Sequence, residues 1–386
     1  MTVPVQGYCD SAFSQVREAF TQNFIDHGEL GAACSVYIEG KKVVDLWGGF
    51  QDKNRSKPWQ QDTLVGFYSV SKAIAALCTL QLVDQGLLAL DKPIASVWPE
   101  FAANGKEQIT LRQLLSHQAG LISFEKRLTN EDLFNWSPIV KALEEQAPWF
   151  EPGTQAVYHT NTYGHLIGEP LRRITGKSVG QYLQEHISQP LNEEVYFGLP
   201  DATLNRVADI VWHPSDQPPP ASILDNPINE TQQMVNLSYF NPPGFAGLGV
   251  MNGRGWRQAE VPSTNGHGTA RGIAHVYQQL AGAGKVPGPQ LLSQDLLQEA
   301  TTKQSENFDC PVLGRPVCFG LGFQPTRDYR QFGPNAHSFG HFGSGGSAGF
   351  GDPDCQLGFG YVMNDITPRW QSPRNQALID AVYGCL

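Results

Sequence analysis

Two residues one helical turn apart, Ser69 and Lys72, are the side chains of this sequence whose types and spacing could perform nucleophilic catalysis. The segment after them, from Ala73 to Leu82, is almost wholly apolar, which predicts a helix buried on every face. A lysine on the first turn of a buried helix is costly unless a partner or a function holds it there. Because residues three apart share one face of a helix, Lys72 can accept the proton of the Ser69 hydroxyl.

The start of that helix also suits acyl-transfer chemistry. The first N–H groups of a helix have no partner within it, and the positive end of the helix dipole favours a developing oxyanion. A simpler interpretation uses the same residues, with Ser69 or Ser71 as a helix cap and Lys72 extending to solvent. The motif alone leaves both interpretations open.

The predicted elements place strands towards both ends of the chain and helices between them. We expect strands at 32–38, 42–47, 318–323, 337–341 and 358–363, and helices at 11–26, 268–284, 293–302 and 375–383. Residues 212–258 are rich in proline and glycine, with three prolines at 218–220, and are expected to be loops over a scaffold.

This order predicts an α/β (α+β) protein with two interleaved domains. Residues 1–88 and 246–386 would form one discontinuous sheet domain, and residues 89–245 a mostly helical and loop-rich inserted domain. The Ser69 helix would lie at the junction of the two domains, where clefts usually form.

The composition limits the function classes. The chain has 386 residues, 40% of them hydrophobic, and a formal net charge of −10, which disfavours nucleic acid and anionic membranes as partners. Residues 1–10 carry neither a basic nor an apolar stretch typical of a signal peptide. The seven cysteines form no C-x-x-C pair, so no zinc or redox site is indicated. We therefore predict a cytoplasmic enzyme without a metal or organic cofactor.

Three further segments carry the residue types that a Ser–Lys site needs. Tyr158 follows a Pro-Gly turn and precedes a helical segment, residues 114–121 read LLSHQAGL, and residues 340–346 read GHFGSGG. Taken alone, Tyr158 is more often a packed tyrosine, and His341 is as well explained as a structural strand residue. In this order, the segments resemble the tyrosine motif, the LLSHxxGL segment and the His-x-Gly or Lys-Thr-Gly element of class C β-lactamases and their esterase relatives.

Together with the Ser-x-x-Lys motif, they make residues 15–385 similar to serine β-lactamases and penicillin-binding proteins, and most similar to family VIII carboxylesterases. The resemblance implies a β-lactamase-like fold, an antiparallel sheet flanked by helices with an inserted helical domain. It implies Ser69 as nucleophile, Lys72 as base and Tyr158 as second acid/base. The backbone N–H groups of Ser69 and Ser344 would form the oxyanion hole.

The sequence departs from the family pattern at two positions. His341 replaces the lysine that helps to hold the carboxylate of a β-lactam, which puts strong β-lactamase activity in doubt. In the Tyr-x-Asn motif Thr160 takes the place of asparagine, and Asn161 follows one residue later. The predicted substrate-binding residues are Asn161, His341, Gly343, Trp149, Phe319 and Phe323, with the 240–256 segment as a further candidate lining.

A second serine competes with Ser69. Residues 345–349 read GGSAG and match the G-x-S-x-G nucleophile elbow, which requires a strand before the serine and a helix after it. Pro353 follows closely and disfavours a helix there, so we place Ser347 in a glycine-rich strand or turn. Among the histidines, His117 is predicted to be a structural hydrogen-bonding residue. His159 and His165 are predicted to be exposed or packed helix residues.

The predicted function is hydrolysis of short-chain carboxylic esters through an acyl-enzyme on Ser69, with a small-molecule ester as the partner. The oligomeric state is not predicted. β-Lactamase, D-amino-acid peptidase, amidase and transacylase activities use the same serine and stay open. So does a non-catalytic binding protein on this scaffold, although intact Ser69, Lys72 and Tyr158 argue against it.

Overall fold

The computed structural model describes residues 4–212, 221–367 and 369–386, so the prolines at 218–220 lie outside the described residues. The strands are β1 Val5–Cys9, β2 Gly31–Ile38, β3 Lys41–Gly49, β4 Val65–Gly66, β5 Val195–Tyr196, β6 His267–Gly268, β7 Ser305–Cys310, β8 Arg315–Phe319, β9 Gln324–Pro325, β10 Phe339–Phe342, β11 Ala348–Asp352 and β12 Leu357–Met363. The helices are α1 Ser14–Asp26, α2 Val70–Asp84, α3 Leu111–Leu115, α4 Asn130–Leu133, α5 Trp136–Glu145, α6 Tyr163–Thr175, α7 Val179–Leu183, α8 Gln189–Leu191, α9 Glu230–Phe240, α10 Arg254–Gln258, α11 Ala270–Gly282, α12 Gln294–Thr301 and α13 Pro373–Tyr383.

A seven-stranded antiparallel sheet combines the two ends of the chain, as the sequence predicts. Its strand order is β1-β3-β2-β12-β11-β10-β9, so the N-terminal hairpin lies beside the C-terminal strands. Val36 pairs with Phe359 at the contact between these two halves. The β-lactamase-like mixed α/β fold with an antiparallel sheet is therefore confirmed.

Glycines and aromatic residues alternate along β12 and β11 because the two faces of the sheet meet different neighbours. A Cβ atom on Gly358 would lie 2.2 Å from the Ala274 carbonyl oxygen, and one on Gly360 would lie 2.2 Å from that of Ala270, so helix α11 lies directly on this face. The intervening Phe359 points to the opposite face and is fully buried. The glycines thus allow α11 to pack closely against the strands.

Helix α2 runs through the interior and carries the Ser-x-x-Lys motif at its start. All of its residues from Val70 to Leu80 are buried, as the apolar sequence predicts. The helix packs against α6 on one side and against β10 on the other. Tyr158 precedes α6 and His341 lies on β10, so the packing of these two elements brings both residues towards the first turn of α2.

Several features differ from the predicted elements. Strand β1 is not predicted, and the strand expected at 318–323 breaks at Gly320, whose N–H donates to the Phe323 carbonyl in a turn. The segment 212–258 contains helices α9 and α10 rather than loops alone. Helix α9 forms because Asn229 caps its first turn and because Met234 and Leu237 bury one side of it.

Residues 89–245 contain helices α3–α9 and the two-residue strand β5, while the large sheet is drawn from residues 5–49 and 324–363. The domain boundaries at 88/89 and 245/246 stay a prediction. None of the described helices has the length and apolar character needed to cross a membrane.

Candidate active site

Ser69 and Lys72 lie together at the start of α2. The Lys72 amine donates to the Ser69 hydroxyl at 3.2 Å and to the Ser263 carbonyl at 2.9 Å. Lys72 is fully buried, and no carboxylate lies within ion-pair distance of its amine in the part of the chain that the structure describes. Burial lowers the pKa of Lys72 well below its ordinary value. The amine lies within hydrogen-bond distance of the Ser69 hydroxyl and has a lowered pKa, so it can accept a proton there. It does not extend to solvent.

The backbone before Ser69 is held in an unusual conformation. Tyr68 adopts a left-handed backbone with φ of 50°, which is uncommon for a bulky residue and typical of positions under functional constraint. Its hydroxyl donates to the Met251 sulfur at 3.1 Å, and its ring contacts Trp212 edge-on. The Ser71 hydroxyl accepts the Gly266 N–H at 2.9 Å, so it binds a neighbouring segment instead of capping the helix.

Tyr158 lies beside this pair. Its side chain is fully buried, and the Lys72 amine lies 4.8 Å from the centre of its ring. The Tyr158 hydroxyl has no hydrogen-bond partner among the described residues. Burial raises the pKa of Tyr158, and the nearby Ser69 hydroxyl opposes this only in part, so the phenol is neutral. Phe319 stacks parallel to the tyrosine ring at 5.8 Å and fixes its plane.

The segment after β10 passes close to the nucleophile. A Cβ atom on Gly343 would lie 3.3 Å from the Ser69 nitrogen and 2.5 Å from the Phe67 carbonyl oxygen. Ser344 follows directly, and neither its N–H nor that of Ser69 donates to another group within the described ranges. Two backbone N–H groups are therefore free near one another, as an oxyanion hole requires.

His341 lies on β10 next to the tyrosine. Its Nδ1 is 2.6 Å from the Phe342 carbonyl oxygen, which fixes Nδ1 as the protonated nitrogen. Its Nε2 is buried and has no partner in residues 4–212, 221–367 or 369–386. Burial, with the nearby Lys72, lowers the pKa of His341 well below its ordinary value, so the ring is neutral. The side chain can accept a hydrogen bond here but supplies no positive charge.

The other predicted substrate-binding residues lie at different distances from the Ser69–Lys72 pair and make different contacts. The Asn161 amide donates to the Ser238 carbonyl and accepts from Thr264, so Asn161 braces the loop that binds Lys72. The Trp149 indole donates to the Ser123 carbonyl, and it has no hydrogen bond or ring contact with the catalytic candidates in the described part of the chain.

Phe323 packs against Phe339 and Tyr277. These contacts place it in the hydrophobic core and not in the cleft, because its neighbours are the sheet and α11. Of the predicted aromatic residues, Phe319 is the one that contacts Tyr158.

The three other histidines considered in the sequence make hydrogen bonds or ring contacts within the fold. His117 accepts the His159 N–H at 3.0 Å, and its ring stacks on Tyr163 at 4.5 Å. His159 is buried and accepts the Leu121 N–H, and it lies outside any helix, which differs from the prediction. His165 is packed within α6, as predicted.

The competing Ser347 is placed as predicted. It immediately precedes β11, and its hydroxyl donates to the Phe67 carbonyl at 2.9 Å. A strand follows it instead of a helix, so it does not form a nucleophile elbow.

Sequence reasoning missed Ser263. Its carbonyl accepts from Lys72, and its hydroxyl donates to the Asn161 carbonyl and accepts the Gly164 N–H at 2.6 Å. A contact made through a backbone carbonyl leaves no signal in the residue type. No cluster of three metal-ligating side chains occurs in the described residues.

Comparisons with a family model, with curated proteins and with solved structures all find members of one family. The Beta-lactamase family model matches residues 13–383. Esterase/beta-lactamase LipL of Mycobacterium tuberculosis is 31% identical over 94% of this chain and 83% of its own length. The solved structure of a family VIII carboxylesterase superposes with a TM-score of 0.90 at 39% identity, covering 99% of this chain and all (100%) of that one.

A penicillin-binding protein homologue from Caulobacter crescentus superposes with a TM-score of 0.89 at 39% identity, over 99% of this chain and 100% of that chain. The resemblance inferred from the motifs is thereby confirmed. The chain belongs to the β-lactamase family and is a serine hydrolase with the β-lactamase fold.

Proposed function

We propose that this protein hydrolyses short-chain carboxylic esters through an acyl-enzyme on Ser69. The observation that carries the proposal is the buried Lys72 amine, which lies 3.2 Å from the Ser69 hydroxyl. An amine that is desolvated and lacks a carboxylate partner is unprotonated for a larger fraction of the time at neutral pH, and it can therefore act as a general base. The esterase names of several relatives support an ester as the substrate.

In the first step, Ser69 attacks the ester carbonyl while Lys72 takes its proton. The charge that develops on the carbonyl oxygen would be stabilised by the N–H groups of Ser69 and Ser344. Tyr158 remains a phenol because burial raises its pKa, so it can donate a proton to the departing alkoxide. Lys72, whose amine lies 4.8 Å from the centre of the tyrosine ring, would then return a proton to Tyr158.

In the second step, water attacks the acyl-enzyme. Lys72 and Tyr158 accept a proton from this water and return it to the Ser69 oxygen. The carboxylic acid product is released as Ser69 recovers its hydroxyl. Asn161 would hold the loop that positions Lys72, and the neutral Nε2 of His341 would accept a hydrogen bond from substrate or water. No step requires a cation other than the transiently protonated lysine.

Hydrolysis of p-nitrophenyl butyrate by the wild type and by the Ser69→Ala and Ser347→Ala variants tests the proposal. We expect Ser69→Ala to lose about a thousandfold or more in kcat. Ser347→Ala should retain most activity, because its hydroxyl is bound to a backbone carbonyl. Loss confined to Ser347→Ala would refute the assignment of the nucleophile.

A fluorophosphonate probe separates an enzyme from a binding protein on the same scaffold. We expect the probe to label wild-type protein at Ser69 and to leave Ser69→Ala unlabelled. Absence of labelling in the wild type would favour the binding protein.

A further inference from the structure

Two arginines, Arg315 and Arg330, lie beside the candidate active site and take no part in the mechanism above. Their guanidinium carbons are 4.5 Å and 5.1 Å from the centre of the Trp370 ring. The same indole contacts the Tyr158 ring edge-on at 5.5 Å and the His341 ring at 6.2 Å. Trp370 therefore connects both guanidinium groups to the two side chains that line the site next to Ser69.

Neither guanidinium has a carboxylate partner within the described part of the chain. This differs from Arg112 and Arg173, each of which forms ion pairs with two or more acidic side chains. Arg330 is only 4% exposed, and within the described residues its side chain donates one hydrogen bond, 3.3 Å long, to the Pro316 carbonyl. Because buried charges are nearly always paired, the buried Arg330 and the partly buried Arg315, both without a carboxylate partner among the described residues, call for an explanation.

Unpartnered polar atoms are concentrated in this region. The Nη1 of Arg330, the Nε of Arg315, the hydroxyl of Tyr158 and the Nε2 of His341 are all buried without a hydrogen-bond partner in the described residues. Native proteins rarely leave such atoms unsatisfied, so their convergence around Trp370 indicates a place for an external polar group. Three of the four atoms are donors, which favours an acceptor that carries negative charge.

We propose that Arg315 and Arg330 form a subsite for a carboxylate of the substrate, so that the preferred esters carry an anionic group in addition to the scissile bond. This inference rests on the proposed ester hydrolysis for its identification of the ligand as a substrate. A carboxylate matches the planar fork of a guanidinium, and the indole supports both cations from the side.

The electrostatics of the pair agree with this assignment. Burial, together with the charge of Arg315, lowers the pKa of Arg330 to about 10, so Arg330 is still a cation at neutral pH. Arg315 is a cation as well, because guanidinium groups keep their proton in proteins. Two like charges held near one another repel, and an anion bound between them offsets the repulsion. A neutral ester leaves both guanidinium groups unpaired and gains none of this stabilisation.

Two matched pairs of esters test the subsite. The first pair, 3-carboxyphenyl and 3-carbamoylphenyl butyrate, differs in charge on the alcohol part. The second pair, the mono-p-nitrophenyl ester of adipic acid and p-nitrophenyl hexanoate, differs in charge on the acyl part. The measured quantity is kcat/KM for the anionic ester divided by kcat/KM for the neutral ester of the same pair. Intrinsic differences in reactivity between the two esters are the same in every variant, so a change in this ratio between variants reports on the protein.

In at least one pair we expect the wild type to prefer the anionic ester by about tenfold or more. Arg315→Gln and Arg330→Gln should each bring that ratio to within about twofold of unity while the neutral ester is still hydrolysed. Arg369→Gln, which removes an exposed arginine next to Trp370, is the matched control and should keep the wild-type ratio. No preference in either pair, or a preference that survives both substitutions, overturns the subsite and leaves ester hydrolysis intact.

A binding measurement separates failure of the subsite from failure of the proposed function. Isothermal titration of adipate and of 3-hydroxybenzoate into each protein requires no turnover. If no ester is hydrolysed but either anion binds to the wild type and about tenfold more weakly to both arginine variants, the subsite stands without the esterase assignment. If no ester is hydrolysed and neither anion binds, both proposals fail. Arg315→Gln, at a partly exposed residue, covers the case in which Arg330→Gln does not fold.

Discussion

Gly343 faces the backbone of Ser69 so closely that a single methyl group on Gly343 would lie 3.3 Å from the Ser69 nitrogen. The same methyl group would lie 2.1 Å from the Ser347 hydroxyl oxygen and 2.5 Å from the Phe67 carbonyl oxygen. The strand end that carries Ser344 and the first turn of α2 are therefore in direct backbone contact. Their relative position sets the distance between the two free N–H groups.

We predict that Gly343→Ala reduces kcat/KM for p-nitrophenyl butyrate by about a hundredfold or more, because the clash separates the two oxyanion donors. Gly66→Ala is the matched control, since a Cβ atom there meets its nearest neighbour, the His267 ring, at 3.6 Å. Both variants should be compared by thermal unfolding. Full activity in a folded Gly343→Ala protein would contradict the placement of the oxyanion hole.

The activity of the wild type should depend on the protonation of Lys72. Only the neutral amine accepts a proton, so kcat/KM falls as the pH drops through the pKa of Lys72. Burial lowers this pKa well below 10.5, and the midpoint of the acidic limb should lie well below that value. Lys72→Arg keeps a long basic side chain, but its guanidinium holds its proton at neutral pH and cannot act as a base, so we expect this variant to be inactive. A midpoint near the ordinary lysine value would show that burial does not tune this group.

Tyr158→Phe should discriminate between leaving groups. The p-nitrophenolate anion leaves without a proton at neutral pH, whereas the ethoxide of ethyl butyrate requires one. If Tyr158 donates that proton, the substitution reduces kcat for ethyl butyrate by about a hundredfold or more and that for p-nitrophenyl butyrate much less. Phe keeps the stacking on Phe319, so the fold is retained. Equal losses for both esters would assign Tyr158 a role other than acid.

His165 should make the fold sensitive to acid. Both of its ring nitrogens are buried without a partner among the described residues, and burial lowers its pKa to about 3. Between this value and about 6.5 the unfolded chain binds a proton that the folded chain does not, so stability falls as the pH drops through this range.

We predict that His165→Leu raises the free energy of unfolding at about pH 5 by about 2 kcal/mol more than at about pH 7. Chemical denaturation of both proteins at the two pH values measures this difference. His27→Leu, at an exposed position, serves as the control. An equal effect of His165→Leu at both pH values would exclude proton uptake as the cause.

Local pattern was sufficient to predict the elements that carry the motif residues. The almost wholly apolar run after Lys72 predicted a buried helix, and the β-rich runs at 32–38 and 42–47, separated by a short turn, predicted a hairpin. These features depend on residue type within a few positions, which a single sequence displays directly. The same holds for Ser347, because Pro353 excluded the helix that its motif requires.

The parts of the site that were not predictable depend on contacts between distant segments. Ser263 binds Lys72 through its carbonyl, and any residue type could do so. Arg315 and Arg330 are unremarkable in the sequence, because what distinguishes them is that each has a side-chain nitrogen without a hydrogen-bond partner among the described residues. The contacts of Phe323 with Phe339 and Tyr277 were not predictable for a similar reason, because the residue type at the end of a turn does not indicate which neighbours its side chain meets.

The pairing of β2 with β12 has a consequence for the synthesis of the protein. Ribosomes make the hairpin and the nucleophile early, whereas Ser344 and the strand that neighbours β2 are made near the end of the chain. Until then β2 has an open edge, and unpaired strand edges can pair with other chains and aggregate. The proposed oxyanion hole is thus completed only when the C-terminal strands have been made, and we expect a product truncated before Ser344 to be inert towards esters.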